Sequence, residues 1–375
     1  METPVVMHVM GMDVSKYGGL ERFNVSLAAV LRERGMKGVF VYESKPSAGN
    51  FEEDMATAGG ELVVCNSRRD PVRFSLRLAR LISRYRPVIV HSHFTKARFY
   101  AVPVALMMGV RRQCFTMHSE LEDKSSIKPL TKMWYSRANK IAGVLTVSGA
   151  IKQQYLDIWP NASVDCIHLG VSEVTGNRQE CRKRLGVRDD DVVVLTIANF
   201  NHIKGLDVLC EAIARVLGEN DNLARVDFYV VGQPQKDIEQ LSRLARKLGI
   251  EDNLHLIGVS NNVCDYLCAA DIYVQPSRNE GISMSLMEAA SASLPLVGSR
   301  VGGIPEVIAH GENGLLVEPG DADQLASALC LLATDIKMRQ RMGQSSLDVY
   351  SRKYSLPSAT GRLLDYYSSL IADLR

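Results

Sequence analysis

The feature that most constrains the fold of this chain is a regular alternation of short, β-type hydrophobic runs with helical patterns. In the first half, helical segments separate most of the strand candidates, which span residues 5–10, 38–43, 61–64, 88–91, 113–118, 144–148 and 165–169. Strands that alternate with helices form parallel sheets, because each crossover helix returns the chain to the end of the sheet where the previous strand began. The first half therefore predicts a parallel sheet wrapped by helices.

A polar stretch, GVSEVTGNRQE (170–180), interrupts this alternation and predicts an interdomain linker. Strand candidates then resume at 192–198, 225–232, 253–258, 271–276, 294–299 and 314–319, followed by a helical tail from about 335. A chain of 375 residues is long enough for two domains. The sequence predicts an α/β protein of two doubly wound, Rossmann-like domains with a cleft between them. Ligands of such sheets bind beyond the carboxyl ends of the strands.

Composition narrows the class of protein. The hydrophobic content of 46% and charged content of 23% are typical of a soluble globular protein. No apolar run approaches the length of a membrane span, and the N-terminus lacks the charged start of a signal peptide. The eight cysteines are scattered without CxxC spacing, which indicates reduced thiols. We therefore expect a cytoplasmic protein.

The charge is distributed unevenly along the chain. The net charge is only +2, but residues 1–172 carry 23 basic and 15 acidic side chains, and residues 173–375 carry 21 and 27. A basic first half indicates an anionic partner on that side of the protein. We expect no nucleic-acid partner.

Two strand-to-helix turns could bind phosphate. Gly18 and Gly19 end a loop that opens onto a long amphipathic helix, where paired glycines and free N–H groups suit an anion. A plain turn is the alternative. Lys204 lies at the corresponding turn of the second half, with Gly205 behind it. It could act as a point charge on phosphate, or it could be a solvated loop lysine.

Histidines mark the ends of two strand candidates, His91 and His93 in HSHF and His118 in FTMHSE (115–120). A zinc site would need a fixed geometry of several ligands, whereas proton transfer or a phosphate contact needs only one exposed histidine. His118 is the best candidate by position, and His91 is expected to be a satisfied, partly buried residue. The acidic run RDDD (188–191) precedes a strand and is expected to be solvated.

The stretch DPVRFSLRLARLISRYRP (70–87) predicts an amphipathic helix. One side carries arginines at one-turn spacing, namely Arg73, Arg77, Arg80 and Arg84, and the other side is mainly apolar, with Phe74, Leu78, Leu81 and Ile82. The arginine side could simply be solvated. It could also contact an anionic membrane surface or an acceptor phosphate, which would place the protein peripherally on the inner face of the cytoplasmic membrane.

Two glutamates occupy an apolar setting in NEGISMSLMEAASASLPLVGSRVGGIPEVI (279–308). Glu280 comes just before a predicted helix and Glu288 lies within it. The helix is apolar nearly all round, which predicts that it is buried. A charge on a buried helix is costly unless it is paired, and a ligand rich in hydroxyl groups could provide the partner.

These residues resemble a known family. The run DIYVQPSRNEGISMSLMEAASASLPLVGSRVGGIPEVIAHGENGLLVEPG (271–320) is similar to the donor-binding half of retaining glycosyltransferases of family 4, which have the GT-B fold. The similarity also includes GGLER, VHSH, TMHS, VSGAIKQQY, HLGVS and KGLDVL. It implies an acceptor-side domain over 1–172, a nucleotide-sugar domain over 173–355, and a final helix within 356–375 that crosses back to the first domain.

The resemblance implies roles for the donor-side residues. Glu280 would contact hydroxyls of the transferred sugar, and Glu288 would bind the ribose hydroxyls of the nucleotide. Backbone N–H groups around Gly281, Ile282 and Ser283 would lie near the diphosphate or the sugar.

Three further positions also match the family pattern. Lys204 would neutralise the diphosphate leaving group, and Gly19, beside Gly18, matches the glycine loop that closes on the same phosphates. His118 matches a histidine at the acceptor side of the cleft. Because charge builds on the departing nucleoside diphosphate, Lys204 and helix-terminal amides would stabilise the transition state. Domain closure would exclude water.

One position departs from the family pattern. The family usually has an arginine five positions before the lysine, where this chain has Asn199. An amide can hydrogen-bond phosphate oxygens but adds no positive charge, so leaving-group stabilisation is expected to be weaker unless Arg278 or another residue compensates. No DxD motif lies at a position where it would hold a metal ion. We therefore expect a metal-independent hexosyltransferase that uses a UDP- or GDP-linked sugar and needs no cofactor.

The implied activity is transfer to a glycan or lipid-linked acceptor, in cell-surface polysaccharide, capsule or lipopolysaccharide assembly. Two alternatives stay open. A nucleotide-sugar epimerase shares the fold and needs no acceptor, although the spacing of the two glutamates argues against it. A nucleotide-sugar-binding protein without catalysis is suggested by Asn199.

Overall fold

The computed structural model describes residues 3–14, 17–46, 49–66, 70–119, 129–218, 225–233, 238–260 and 262–372. Glu120, the last residue of FTMHSE, and residues 373–375 of the predicted final segment lie outside these ranges. The chain divides into two compact units. Unit 1 comprises Met1–Val171 with Leu356–Arg375, and unit 2 comprises Ser172–Ser355.

The described part of unit 1 is built on a seven-stranded sheet. Its strands are β1 (Val5–Val9), β2 (Lys37–Tyr42), β3 (Glu61–Val64), β4 (Ile89–His93), β5 (Gln113–Met117), β6 (Gly143–Thr146) and β7 (Val164–Cys166). The helices between them are α1 (Gly19–Glu33), α2 (Phe51–Thr57), α3 (Pro71–Tyr85), α4 (Phe94–Met107), α5 (Pro129–Ala138) and α6 (Gly149–Ile158).

The described part of unit 2 has a six-stranded sheet. Its strands are β8 (Val192–Ile197), β9 (Val226–Val231), β10 (Leu254–Gly258), β11 (Ile272–Gln275), β12 (Leu296–Ser299) and β13 (Gly314–Val317). The helices are α7 (Arg178–Leu185), α8 (Leu206–Gly218), α9 (Ile238–Leu248), α10 (Val263–Ala269), α11 (Met284–Ser291), α12 (Ile304–Val307), α13 (Ala322–Thr334) and α14 (Ile336–Val349). A 3₁₀ turn spans His202–Lys204, and a π-helical turn, Tyr350–Tyr354, follows α14.

Both sheets are parallel and doubly wound. The strand order is β3-β2-β1-β4-β5-β6-β7 in unit 1 and β10-β9-β8-β11-β12-β13 in unit 2. Each strand predicted from the sequence has a counterpart, with ends that differ by at most three residues. The predicted pair of doubly wound α/β domains is therefore confirmed. The order reverses between β1 and β4 in unit 1, and between β8 and β11 in unit 2.

The strands were recognisable because helices cover both faces of each sheet. Every residue of β1, β4 and β5 is buried, and so is every residue of β11 and β12. Strands buried on both faces read as nearly continuous hydrophobic runs. Polar side chains inside such strands are therefore exceptions that need a partner, and both candidate sites described below contain them.

The chain returns to unit 1 through a last helix, α15 (Leu356–Ala372), which packs against α1. The guanidinium group of Arg112 donates to the carbonyl oxygens of Leu370 (3.1 Å) and Ile371 (3.4 Å). A cation there complements the partial negative charge at the helix C-terminus. The final helix is therefore tied to unit 1 at its C-terminal end.

The predicted linker is shorter than the sequence suggested. Asn177 caps α7 by accepting a hydrogen bond from the backbone N–H of Glu180 (3.1 Å), so the helix begins at Arg178, inside the polar stretch 170–180. Asparagine is a favoured N-cap residue, and a helix this polar lacks the apolar periodicity by which helices are recognised. Among the described residues, no helix combines the length and the apolar character that crossing a membrane requires.

Candidate functional site

The carboxyl ends of β8 and β11 form the candidate site of unit 2. These two strands are hydrogen-bonded neighbours, and the strand order reverses between them. Such a switch point leaves a crevice, because the loops after the two strands run to opposite sides of the sheet. Lys204 lies in the loop after β8 and Glu280 in the loop after β11.

Gly205 allows these two loops to approach each other closely. Its φ angle is +65°, and a Cβ atom at this position would lie 1.9 Å from the carbonyl oxygen of Pro276, so only glycine fits. Nearby, the backbone N–H of Arg278 donates to the carbonyl oxygen of Ile203 (2.7 Å). This close approach of the two backbones brings Lys204 against the segment that carries Glu280.

Lys204 and Glu280 form an ion pair. The Lys204 Nζ atom lies 2.6 Å from Oε2 of Glu280, and their side chains are 22% and 11% exposed. The hydroxyl of Ser277 donates to the same carboxylate oxygen (3.2 Å). The structure thus brings into direct contact two residues to which the sequence resemblance gives separate roles. A phosphate and a sugar hydroxyl bound here would each take one partner of this pair.

A series of hydrogen bonds between buried polar side chains leads to Glu280. The hydroxyl of Tyr273 donates to Oε1 of Gln275 (2.9 Å), and the amide of Gln275 donates to Ser277 (2.8 Å), which contacts Glu280. Ser283 also donates to Oε1 of Gln275 (3.1 Å). Tyr273, Gln275 and Ser277 were not predicted from the sequence. Their signal was the presence of polar groups in the otherwise apolar strand IYVQ and just beyond it.

The segment before α11 is ordered by its N-cap. The Ser283 hydroxyl accepts a hydrogen bond from the backbone N–H of Leu286 (3.2 Å), in keeping with the strong preference for serine at this position. Gly281 is half-buried and Ile282 is 9% exposed. The backbone of these three predicted donor-binding residues, 281–283, therefore leads directly into the helix N-terminus, next to Glu280.

Glu288 lies one turn into α11, on a helix that is buried as predicted apart from a few half-buried positions that include Glu288 itself. Burial raises the pKa of Tyr273, and the negative charges of Glu288 and Glu280 raise it further. Both carboxylates therefore lie near the same tyrosine.

Asn199 is exposed in the loop after β8. Arg278, considered above as a substitute for the missing arginine, is held elsewhere. Its guanidinium group makes a bidentate pair with Asp207 (2.6 and 2.7 Å) and donates to the carbonyl oxygen of His202 (2.9 Å). In this arrangement the charge of Arg278 is already neutralised by Asp207, so it is not free to replace the missing arginine.

Unit 1 presents histidines at its own switch point. His8 lies in β1, and His91 and His93 lie in the neighbouring strand β4. All three are buried, whereas His118, which follows β5, is partly exposed. Hence His91 is a satisfied core residue, as predicted, although it is more deeply buried than expected.

The four imidazoles form one hydrogen-bonded chain. His8 Nδ1 lies 3.1 Å from His93 Nε2, and His93 Nδ1 lies 3.0 Å from His118 Nε2. The Tyr367 hydroxyl, on α15, lies 3.5 Å from His8 Nε2 and 2.5 Å from His91 Nδ1. His8 and Tyr367 could not be predicted from the sequence, because a single polar residue in a strand or a helix gives no signal of its partners.

Burial keeps these imidazoles neutral. It lowers the pKa of His8 to about 3 and that of His118 to about 4. The pKa values of His91 and His93 are also well below the ordinary range, first because of burial and then because of neighbouring imidazoles. The rings of His91 and His93 are stacked, with centroids 4.1 Å apart, so their in-plane lone pairs do not converge on one point. This geometry fits a hydrogen-bonded chain better than a metal site.

The glycine turn of unit 1 already contains a carboxylate. Gly18 is the N-cap of α1, and its N–H donates to Oε2 of Glu21 (3.0 Å), a side chain that is 4% exposed. Gly18 has an extended backbone, with φ −98°. A phosphate at Gly18 and Gly19 would therefore have to approach a helix N-terminus whose positive end already faces an acidic group.

The arginine helix matches its prediction. In α3, Phe74, Leu78 and Ile82 are buried, and the four arginines of the opposite face are exposed. The acidic run 188–191 is only partly solvated, because Asp191 is 5% exposed and pairs with Arg188 (3.0 Å). That pairing makes Asp191 a structural residue at the start of β8.

Two family models match this chain in succession. One described as Glycosyltransferase Family 4 matches residues 17–173, and one described as Glycosyl transferases group 1 matches residues 191–335.

Among curated proteins, an N-acetyl-alpha-D-glucosaminyl L-malate synthase of Bacillus anthracis is 23% identical over 312 residues, which cover 79% of this chain and 78% of that protein. A D-inositol 3-phosphate glycosyltransferase of Geodermatophilus obscurus is 35% identical over 161 residues, which cover 41% of this chain and only 36% of that protein.

Solved structures share the whole fold. A glycosyltransferase from Rickettsia africae superposes with a TM-score of 0.83 at 18% identity, over 99% of both chains. Anabaena HepE, in complex with UDP, gives 0.81 at 17% identity, over 98% of this chain and 100% of its own. WaaG, a glycosyltransferase involved in lipopolysaccharide biosynthesis, gives 0.70 at 17% identity, over 96% and 99%. The two family models place the chain in glycosyltransferase family 4, and these structures show that it has the GT-B fold.

Proposed function

We propose that this protein transfers a sugar from a nucleotide-sugar donor to a glycan or lipid-linked acceptor, with retention of anomeric configuration. The observation that carries the proposal is the Lys204–Glu280 pair at the switch point of unit 2, with a Nζ to Oε2 distance of 2.6 Å. The pair offers a cation for phosphate and a carboxylate for sugar hydroxyls side by side. Glu288, in the helix α11 that follows Glu280, offers a second carboxylate for the ribose.

The residues suggest how the reaction proceeds. An acceptor hydroxyl forms the new bond to the anomeric carbon, on the face of the leaving group, as the bond between that carbon and the phosphate oxygen breaks. Negative charge builds on the departing diphosphate, which takes up the proton of the acceptor hydroxyl. Lys204 and the backbone N–H groups before α11 would stabilise this charge. Glu280 would then turn from the ammonium group to the hydroxyls of the sugar. Because a lysine and helix-terminal amides can supply the positive charge, we propose a metal-independent reaction.

A UDP-linked donor is the first choice. HepE, which shares the fold, has been crystallised with UDP and with UDP-glucose, although at 17–18% identity this shows the fold and not the donor of the present chain. GDP-linked sugars are the second choice. WaaG, in lipopolysaccharide biosynthesis, is a further neighbour, so we propose an acceptor in cell-surface polysaccharide or lipopolysaccharide assembly.

We also propose that unit 1 contacts an anionic membrane through α3, from a cytoplasmic position. The arginines at 73, 77, 80 and 84 are all exposed, and apolar side chains on the same unit are exposed as well, including Leu76 (54%) and Met107 (85%). Basic and apolar side chains together are the composition of a surface that binds the interface of a charged bilayer.

A thermal-shift panel tests the donor site. UDP, GDP, ADP and CMP would be compared with and without EDTA, using the wild type, Glu288→Ala and the exposed-helix control Glu239→Ala. A ligand at about a hundred times its Kd adds about 2.7 kcal/mol of stability. We expect one nucleotide to stabilise wild type and control but not Glu288→Ala, with no effect of EDTA. No shift with any nucleotide would argue against a donor site here.

A binding protein without catalysis is the second candidate, favoured by the exposed Asn199 and by the engagement of Arg278 with Asp207. Transfer assays with and without acceptor would compare the wild type with Asn199→Arg. Activity that appears only in the variant would support this candidate. Turnover of the donor sugar without any acceptor would instead indicate an epimerase.

A further inference from the structure

The buried histidines of unit 1 contain more order than a packed core requires. Each neutral imidazole has one N–H group and one lone pair, so the nitrogen that carries the proton on one ring decides which nitrogen carries it on the next. In the chain from Tyr367 through His8 and His93 to His118, His8 and His93 each make contacts through both ring nitrogens. His118 contacts the chain through Nε2.

We propose that His93, His8 and Tyr367 are positioning residues for His118, fixing the orientation of its ring and the tautomer that it presents to substrate. The contact of His118 with substrate rests on the proposed function. The coupling among the rings does not.

The contacts among the described residues leave one nitrogen of His118 for substrate. Because Nε2 lies 3.0 Å from His93, Nδ1 is the nitrogen on the other side of the ring. Two arrangements satisfy every contact of the chain. In the first, the Nδ1–H groups of His8 and His93 donate toward His118, so Nε2 of His118 accepts and its Nδ1 is a donor to substrate. In the second, Nε2–H of His118 donates to His93 and Nε2–H of His93 donates to His8, so Nδ1 of His118 is an acceptor. A mixture within the chain would leave two N–H groups or two lone pairs facing each other in a buried site, which is costly.

The far end of the chain is closed in the same way. The other nitrogen of His91, Nε2, lies 2.7 Å from the Thr116 hydroxyl, and Tyr367 links His91 to His8. A hydroxyl can donate or accept, so Thr116 accommodates either arrangement. Burial keeps the imidazoles uncharged, which is the condition for such a chain.

The backbone gives an independent indication. Phe94, directly after His93, has φ +60°, a conformation that a bulky residue adopts only under strain. Its ring stacks on His118, with centroids 4.5 Å apart. Strain of this kind persists where surrounding structure imposes it, often at functional sites. The ring of His118 is thus held by a face contact with Phe94 and an edge contact with His93.

The inference makes the C-terminal helix part of the site. Tyr367 lies on α15 and is two rings away from His118, yet its hydroxyl belongs to the same chain of hydrogen bonds. Removing only that hydroxyl should therefore change the tautomer of His118, whereas ordinary packing would confine the effect to His8 and His91.

The test is imidazole ¹⁵N NMR spectroscopy of the full chain, which distinguishes the two tautomers of each histidine without any substrate. Wild type would be compared with Tyr367→Phe and with the neighbouring control Tyr366→Phe, and signals would be assigned by single His→Gln variants. We expect one dominant His118 tautomer in wild type and control, and a mixture in Tyr367→Phe. An unchanged His118 signal, with His8 and His91 altered, would overturn the proposal.

Kinetics supply a second readout. His93→Leu should lower kcat about tenfold with little change in KM for the donor, as for loss of proton or hydrogen-bond placement. His93→Asn, whose amide nitrogen or oxygen can replace Nδ1, should recover most of that loss. Equal loss in both variants would overturn positioning by His93. If the protein shows no transferase activity but the tautomers are coupled, the proposed function fails and the positioning chain stands.

Discussion

The two units place opposite kinds of chemistry at the same point of the same topology. At the switch point of unit 2, charged side chains pair with each other, Lys204 with Glu280 and Arg278 with Asp207. At the switch point of unit 1, neutral imidazoles form a hydrogen-bonded chain. The difference follows from burial. The charged groups lie at a partly open rim, whereas the imidazoles of β1 and β4 lie inside the sheet, where a charge would be costly.

The comparison predicts that acid unfolds unit 1 before unit 2, and this is the largest effect we expect. Because the folded pKa values of His8, His91 and His93 lie below the unfolded value, the unfolded chain binds more protons and stability falls as the pH decreases below about 6.5. At pH 5 the neutral imidazole of His8, with a folded pKa of about 3, costs about 2 kcal/mol, and His91 and His93 act in the same direction. Asp207 behaves differently. Burial would raise its pKa, but Arg278 holds it below the ordinary range, so its contribution persists down to about pH 4.

Urea titrations at pH 7 and pH 5 measure this difference. Both tryptophans, Trp134 and Trp159, belong to unit 1, so their fluorescence reports that unit, while far-UV circular dichroism reports both. Between pH 7 and pH 5 the fluorescence midpoint should move to a clearly lower urea concentration. The midpoint of the second circular-dichroism transition, which reports unit 2, should change much less. An unchanged fluorescence midpoint at pH 5 would show that the imidazoles are not held neutral by the fold.

A charge deletion at unit 2 should have the next largest effect. Lys204→Met removes the cation that balances Glu280 and that we propose stabilises the leaving diphosphate. By analogy with removal of one donor from a preorganised anion site, kcat should fall about 10²- to 10³-fold. The exposed Lys247, in the last turn of α9, gives the matched control Lys247→Met. Equal activity of the two variants would remove Lys204 from the reaction.

A backbone substitution tests how the charged pair is assembled. Gly205 and Gly249 both have positive φ, +65° and +66°, but only Gly205 faces a neighbour, the carbonyl of Pro276. Gly249→Ala should cost about 1 kcal/mol from backbone strain alone. Gly205→Ala should cost about 2 kcal/mol more, because the loop must also move. Urea unfolding followed by circular dichroism measures both, and equal costs would mean that the loops are not held by this contact.

The smallest effect concerns the surface of unit 1. Arg77→Ser on the exposed face of α3 should weaken binding to anionic vesicles by about 1 kcal/mol, roughly fivefold, and salt should reduce the difference. Arg246→Ser on α9 of unit 2 is the control, since Arg246 is also exposed. If both variants partition as wild type does, α3 is a solvated face.

Much of the fold could be predicted from local pattern. The buried strands gave apolar runs, and the amphipathic helix α3 gave a stripe of arginines opposite Phe74, Leu78 and Ile82. The start of α7 could not be placed, because Asn177 begins a helix that has almost no apolar periodicity. The burial of Asp191 could not be predicted, because a sequence does not show that Arg188 pairs with it.

Some residues of the candidate sites could also be predicted from local pattern, and others could not. Glu280, Glu288 and Lys204 stood out because charges interrupt apolar or glycine-containing segments, and His118 because it ends a strand. Tyr273, Gln275, His8 and Tyr367 did not stand out, because their importance lies in contacts over long distances in sequence. His91 and Tyr367, for example, are 276 residues apart along the chain.

The sequence by itself determined the two parallel sheets, the switch in hydrophobic period between strands and helices, and the positions at which polar residues end strands, because these depend on neighbours along the chain. Only the tertiary structure decided which of those polar residues meet. Strand order, not sequence order, places β1 beside β4 and β8 beside β11. The close approach of Gly205 to Pro276 then joins Lys204 to Glu280, and the return of α15 adds Tyr367 to the histidines, since contact is set by where the backbone packs.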